Sequence, residues 1–162
     1  EENFDQAEAY AQKVMNNSLG GARVKNDAQV IIARTAIARG NNSRARQAFA
    51  EIQQTATGEL AAEALYYDAF FKFQDGDHQA SNEVIQRLAS EYSGYKRYGA
   101  KGLVLMAKNF YALNDAYQAT YILENVIDNF PNYPEINEEA RQELQRIRAQ
   151  EAQTNSSIDT NN

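Results

Sequence analysis

The sequence has no cysteine, no tryptophan, one histidine and two prolines in 162 residues. Without cysteine it can form no disulfide, no thiolate metal site and no cysteine nucleophile, and its redox compartment stays open. Both prolines, Pro131 and Pro134, lie late in the chain, so the first 130 residues can run as helix without interruption. No apolar run approaches the roughly 20 residues that a membrane-spanning helix needs, and direct membrane insertion is not expected. Long β-branched runs are also missing, while Ala, Gln and Glu are plentiful, which favours helix. Apolar residues make up 43% of the chain, enough for a packed core at this length.

The formal net charge is −6, unevenly placed. Residues 21–50 hold Arg23, Lys25, Arg34, Arg39, Arg44 and Arg46 against one acid, Asp27, and residues 93–112 hold Lys96, Arg97, Lys101 and Lys108 with no acid. The segments 1–20, 51–92 and 113–162 are acidic. An acidic chain of this kind is not expected to bind nucleic acid. The plain reading of the basic blocks is solvated helix faces.

Helical periodicity runs through most of the chain. Phe4, Ala7, Ala11, Val14 and Met15 share one face of a helix over 4–16, and 16–21 reads as a loop. Asn26 or Asp27 is expected to cap the next helix, which runs to about Arg39 and buries Ile32, Ala33 and Ala36. Gly40-Asn41-Asn42 makes a turn, with Ser43 as the expected N-cap of a helix carrying Ala45, Phe49 and Ile52. After a break at Thr55–Gly58, a helix from Glu59 to Gln74 meets the turn Asp75-Gly76-Asp77 and a helix with Val84, Ile85 and Leu88. Placing Gly76 at the turn puts Ala69 and Ser81 at the helix crossing. Tyr92–Tyr95 is a loop. The stretch from Ala100 to Pro131 is the clearest unit: two amphipathic helices around Asn114-Asp115, with Ala107 and Ala119 where they cross and Leu103, Met106, Phe110, Ile122, Leu123, Val126 and Ile127 flanking them. A last helix over 135–152 carries the narrow stripe Ile136, Ala140, Leu144 and Ile147, and 153–162 is expected to be a disordered tail. The small residues Ala7, Ala45, Ser81 and Ala119 are spaced 38, 36 and 38 apart, the sign of an array whose units bury their faces by stacking.

This period, with Gly40-Asn41, Ala45 and Phe49 in one unit and Ala107, Phe110, Ala119 and Pro131 in another, resembles the tetratricopeptide repeat (TPR). The resemblance covers nearly all of residues 2–131, although the repeat's usual tryptophan is missing. It implies an all-α, right-handed superhelix of antiparallel helix pairs over 1–152, with units near 2–20 (partial), 26–56, 59–92 and 97–131 and a C-terminal capping helix at 135–152. Phe4 and Ala7 match the opening of a second helix, so the chain is expected to be cut from a longer array, and its first helix could self-associate. Ala-Glu-Ala-Leu-Tyr-Tyr at 62–67 and Ile-Asp-Asn-Phe-Pro at 127–131 look like exported TPR proteins of Gram-negative envelopes, implying a periplasmic or envelope location, with the cytoplasm as the alternative.

Chemistry-bearing motifs are sparse. His78 sits beside a turn with no catalytic motif around it and reads as a solvent-exposed helix-start residue. Asp75-Gly76-Asp77 lacks the oxygen ligands of a calcium loop. Asp5, Glu8, Glu138 and Glu139 are helix-surface acids near N-termini. No enzyme, cofactor or metal is expected.

What the repeat implies is a scaffold that holds a peptide or protein in a concave groove, or alternatively a structural spacer with no ligand of its own. By the repeat's register, Val30, Arg34 and Ile37, then Tyr66, Phe70 and Phe73, then Val104, Lys108 and Tyr111, with Lys101 nearby, line that groove. Arg34, Lys101 and Lys108 read as unpaired cations at its two ends, around an aromatic middle. The expected partner is then an acidic peptide with apolar anchors. The competing reading places the aromatics in the core.

Overall fold

The computed structural model describes residues 2–17 and 21–159. They form eight α-helices: α1 (Glu2–Met15), α2 (Ala22–Ala38), α3 (Asn42–Gln53), α4 (Gly58–Gln74), α5 (His78–Glu91), α6 (Lys96–Ala112), α7 (Ala116–Asn129) and α8 (Pro134–Asp159). Each helix packs on its neighbours in sequence, and the pairs stack into a right-handed, TPR-like superhelix that α8 caps. Along one side α4 touches α6 and α6 touches α8. The backbones of the second helices of the pairs, α1, α3, α5 and α7, stay apart from one another among the described residues, although the Arg44 side chain of α3 reaches Glu8 of α1. The first helices therefore form the inner, concave side and the second helices the splayed outer side.

The turn inside each pair is built the same way three times. Gly40, Asn114 and Gly76 take positive φ values of 69°, 65° and 81°. Glycine does this freely, and asparagine is among the few side-chain-bearing residues that tolerate it. The next residue then closes the C-terminal turn of the first helix by donating its N–H back, Asn41 to Ala36, Asp77 to Lys72 and Asp115 to Phe110, at 2.8–2.9 Å. The same residue's side chain caps the second helix by accepting from the N–H of Arg44, Ala80 or Gln118.

Two expected caps are therefore corrected. Asn41, not Ser43, caps α3, because the side chain beside the left-handed residue reaches the free N–H first. Nor do Asn26 and Asp27 start a helix, since α2 begins four residues earlier, behind Gly21 and without a side-chain cap. Asn26 lies inside α2 and accepts from the Thr55 hydroxyl at 3.0 Å. The loop expected over 16–21 falls partly on residues 18–20, outside the described set.

Small residues sit at the helix crossings. Ala33, Ala69 and Ala107 of the first helices and Ala45, Ser81 and Ala119 of the second are all at 0% exposure. At the α4–α5 crossing the approach is close enough for the Ser81 hydroxyl to donate to the Ala69 carbonyl at 2.8 Å, so the register that pairs these two holds. Around the crossings lie three apolar clusters. One joins α1–α4 (Phe49, Ile52, Phe71), one joins α4–α6 (Leu65, Ile85, Leu88, Leu105), and one joins α6–α8 (Leu123, Val126, Ile136, Ile147). Ile136, Ala140, Leu144 and Ile147 of α8 are buried, and each large side chain contributes about 1.5–3 kcal/mol relative to exposure. Beyond them α8 continues to Asp159, through the stretch 153–159 expected to lack structure, since no proline or glycine follows Pro134 to end it.

Replacing Ala119 with Leu should cost about 1–3 kcal/mol by overpacking a crossing that has no free space. Thermal melts of Ala119→Leu and Ala107→Leu within a degree of the parent would show that helices do not cross there.

Among the described residues α1 packs chiefly on α2, meets α3 at the Glu8–Arg44 ion pair, and leaves its Phe4 41% exposed. Amide exchange over 4–15 should therefore be faster than over 100–130, as read by mass spectrometry.

Candidate partner-binding face

The concave side is lined by α2, α4 and α6, with α8 at the end. Arg34 of α2 reaches across to Glu63 of α4, donating through Nε and Nη2 at 2.9 and 2.6 Å. Glu63 is 4% exposed, and this bidentate contact is what makes a buried carboxylate tolerable. The pairing raises the Arg34 pKa above its ordinary value. Tyr98 of α6 is also buried, and its phenol is pushed up, first by burial and then by the Glu63 charge. At the other end Lys108 of α6 donates to Glu139 of α8 at 2.6 Å, both groups partly exposed.

The aromatic middle stands between these pairs. Tyr66, Phe70 and Phe73 are half-buried. Tyr66 lies 6.3 Å from the Tyr98 ring and 6.5 Å from Phe70, and burial pushes its phenol up. Phe70 packs on two of the three clusters, meeting Tyr67 and Phe71 edge-on. Phe73 sits 5.5 Å from His78. The Lys101 ammonium lies 4.4 Å from the Tyr66 ring centre, a cation–π contact. Burial, with Arg97 adding, lowers the Lys101 pKa.

Of the expected site residues, the structure brings Tyr66, Phe70 and Lys101 together. Ile37 is half-buried against the first cluster. Tyr111 is half-buried, donates to Glu151 at 3.2 Å and carries the Arg146 guanidinium over its ring. Three expectations are corrected. Arg34 and Lys108 are not unpaired, because an acid on the next first helix meets each. Val104 is 1% exposed and belongs to the core, not the groove. His78 starts α5 but is half-buried, with Nδ1 3.0 Å from the Asn109 Oδ1. Asn109, at 0% exposure, also donates to Ser81 and Asn82 at 2.9 and 2.8 Å, so His78 is the outer end of a buried polar chain.

Sequence reasoning missed Glu63, Tyr98 and Glu139. The available signal was register: Arg34 to Glu63 is 29 residues, and Lys108 to Glu139 is 31, one repeat less about two turns of helix. Among the described residues no cluster of His, Asp and Glu could hold a metal ion, and no helix is long and apolar enough to cross a membrane. Partly exposed rings between satisfied ion pairs can bind apolar groups.

No family model and no curated protein matches the chain. Solved structures do. One is the crystal structure of MamA, a TPR-containing protein, which aligns with a TM-score of 0.60 at 16% identity, covering 94% of this chain and 91% of that one. At that identity the likeness establishes the TPR-like fold alone.

Removing Arg34 should be costlier than removing Lys108, because only the first leaves a buried carboxylate without a cation. Arg34→Met is expected to cost about 1–3 kcal/mol and Lys108→Met less than about 1 kcal/mol in urea unfolding. Adding Glu63→Gln to Arg34→Met should recover part of the loss. Equal costs for the two single variants would sink the assignment.

Proposed function

We propose that this chain is a non-catalytic scaffold that holds a protein segment against its concave side. The observation that supports this best is the row of half-buried rings, Tyr66, Phe70 and Phe73, on the inner face of α4, with Lys101 laid over the first. Partly exposed rings provide anchoring area at little conformational cost. The partner is an extended or helical peptide with apolar anchors. A preference for acidic peptides loses its basis, since Arg34 and Lys108 are already engaged by acids of the chain itself.

A second reading, the spacer, draws support from the same ion pairs. Arg34–Glu63, Arg46–Asp75 and Lys108–Glu139 each tie one repeat to the next, as a rigid strut would require. An envelope location rests on the sequence resemblance. Self-association through α1 rests on that helix's exposed Phe4.

Peptides selected by phage display against the chain should map to the inner face. Phe70→Ala should weaken the best of them by about 2 kcal/mol, with melting followed to separate lost binding from lost fold. Tyr117→Ala, a 77% exposed outer position, should leave binding unchanged. Selected peptides indifferent to Phe70 and Lys101 alike would favour the spacer.

A further inference from the structure

The outer side holds a cavity that the concave-face reading does not use. It lies where α5 meets α6, under the C-terminal end of α7, and has a volume of about 360 Å³. Ile85 and Ala89 of α5, Leu103 and Met106 of α6, and Phe130 after α7 wall it. Leu103 and Met106 read from sequence as core residues, yet both are only half-buried because they face this space. Its floor is the stripe Lys96, Gly99, Leu103 and Met106, which spans about 15 Å of α6 at 1.5 Å per residue. The equivalent junction between α3 and α4 is nearly closed, at about 50 Å³, with the Arg46 guanidinium 5.0 Å from the Phe71 ring.

The chemistry of the cavity is one-sided. Lys96 is the one charged group lining it, at one end of the stripe. No acid lines the cavity, and none stands in the first turn of α6. A volume of about 360 Å³ along a stripe of about 15 Å suits a small, elongated ligand. From this we infer that the α5–α6 cavity is a binding site for a medium-chain amphiphile with an anionic head, a carboxylate on about ten carbons. The chain lies along Gly99, Leu103 and Met106, and the head pairs with Lys96. The volume falls within the ordinary range for small-molecule sites, and apolar walls with one placed charge are their usual composition. Charge complementarity selects the anionic head over a neutral or cationic one.

Gly99 gives a clean test. A Cβ built there meets nothing within 4 Å, so a side chain can start into the cavity from Gly99 without a clash at its first carbon, and leucine is the better helix former. Isothermal titration with sodium decanoate, below its micelle-forming concentration, should show one site per chain. Gly99→Leu should abolish that binding while melting no lower than the parent. Lys96→Gln should weaken it about threefold to fivefold, the loss of one partly exposed charge contact. Decanol should bind more weakly than decanoate, and decyltrimethylammonium should not bind. Absence of decanoate binding, or unchanged binding in a folded Gly99→Leu, overturns the site. Decanol binding as tightly as decanoate, with Lys96→Gln neutral, overturns the anionic head.

Discussion

Everything in this fold depends on helices approaching closely enough for small side chains to meet the facing helix at their crossings. Ala33, Ala69 and Ala107 on one set of helices, and Ala45, Ser81 and Ala119 on the other, are wholly buried. A larger side chain at any of them would push the pair apart and open the clusters on either side. Serine is tolerated at 81 because the approach lets its hydroxyl donate to the Ala69 carbonyl, and Asn109 of the next repeat donates to the Ser81 hydroxyl oxygen. The crossing is thus fixed by polar geometry as well as by volume, and the bond from Asn109 carries that register into α6.

The charge pattern has its explanation in the stacking. Acidic and basic segments alternate along the sequence; the first basic block finds its acids in the segments on either side, and the second finds them in the segment that follows. Arg39 pairs with Asp5 and Glu8, and Arg44 also reaches Glu8. Arg34 and Arg46 turn the other way, to Glu63 and Asp75. Arg97 and Lys108 reach Glu135 and Glu139. The Arg46 contact holds the Asp75 carboxyl below its ordinary pKa. Exposed pairs of this kind contribute little to stability singly. Mismatching two repeats would set like charges together and bury Glu63 without a cation, so what the pairs chiefly select is the order and register of the repeats.

Whatever follows the repeat period was legible from the residues. Ala45, Ser81 and Ala119 marked the crossings, the Gly40, Gly76 and Asn114 turns fell where expected, and the α8 stripe is buried as its spacing implied. What escaped were contacts between helices some thirty residues apart. Periodicity reports which face of a helix turns inward and says nothing about which side chain of the next helix stands opposite. Arg34 and Lys108 therefore looked like free cations, Val104 looked like a groove residue, and His78, judged by its place beside a turn, looked solvated. The rings of α4 were the hardest to place. In a solenoid the inner face of a first helix is also the seam between two clusters, and Phe70 occupies both roles.

The same logic explains why one outer junction is open and its neighbour closed. Positions 46 and 82 are equivalent in the repeat, as are 71 and 109. At the α3–α4 junction these positions hold Arg46 and Phe71, whose side chains stack on each other and fill the space. At the α5–α6 junction they hold Asn82 and Asn109, both buried, which turn toward each other and toward Ser81 to satisfy their hydrogen bonds. Shorter side chains drawn inward by an obligatory polar network cannot also pack outward. Gly99 adds no side chain of its own, so Leu103 and Met106 are left facing a gap. The network that fixes the register between the repeats thus also accounts for the opening of the cavity.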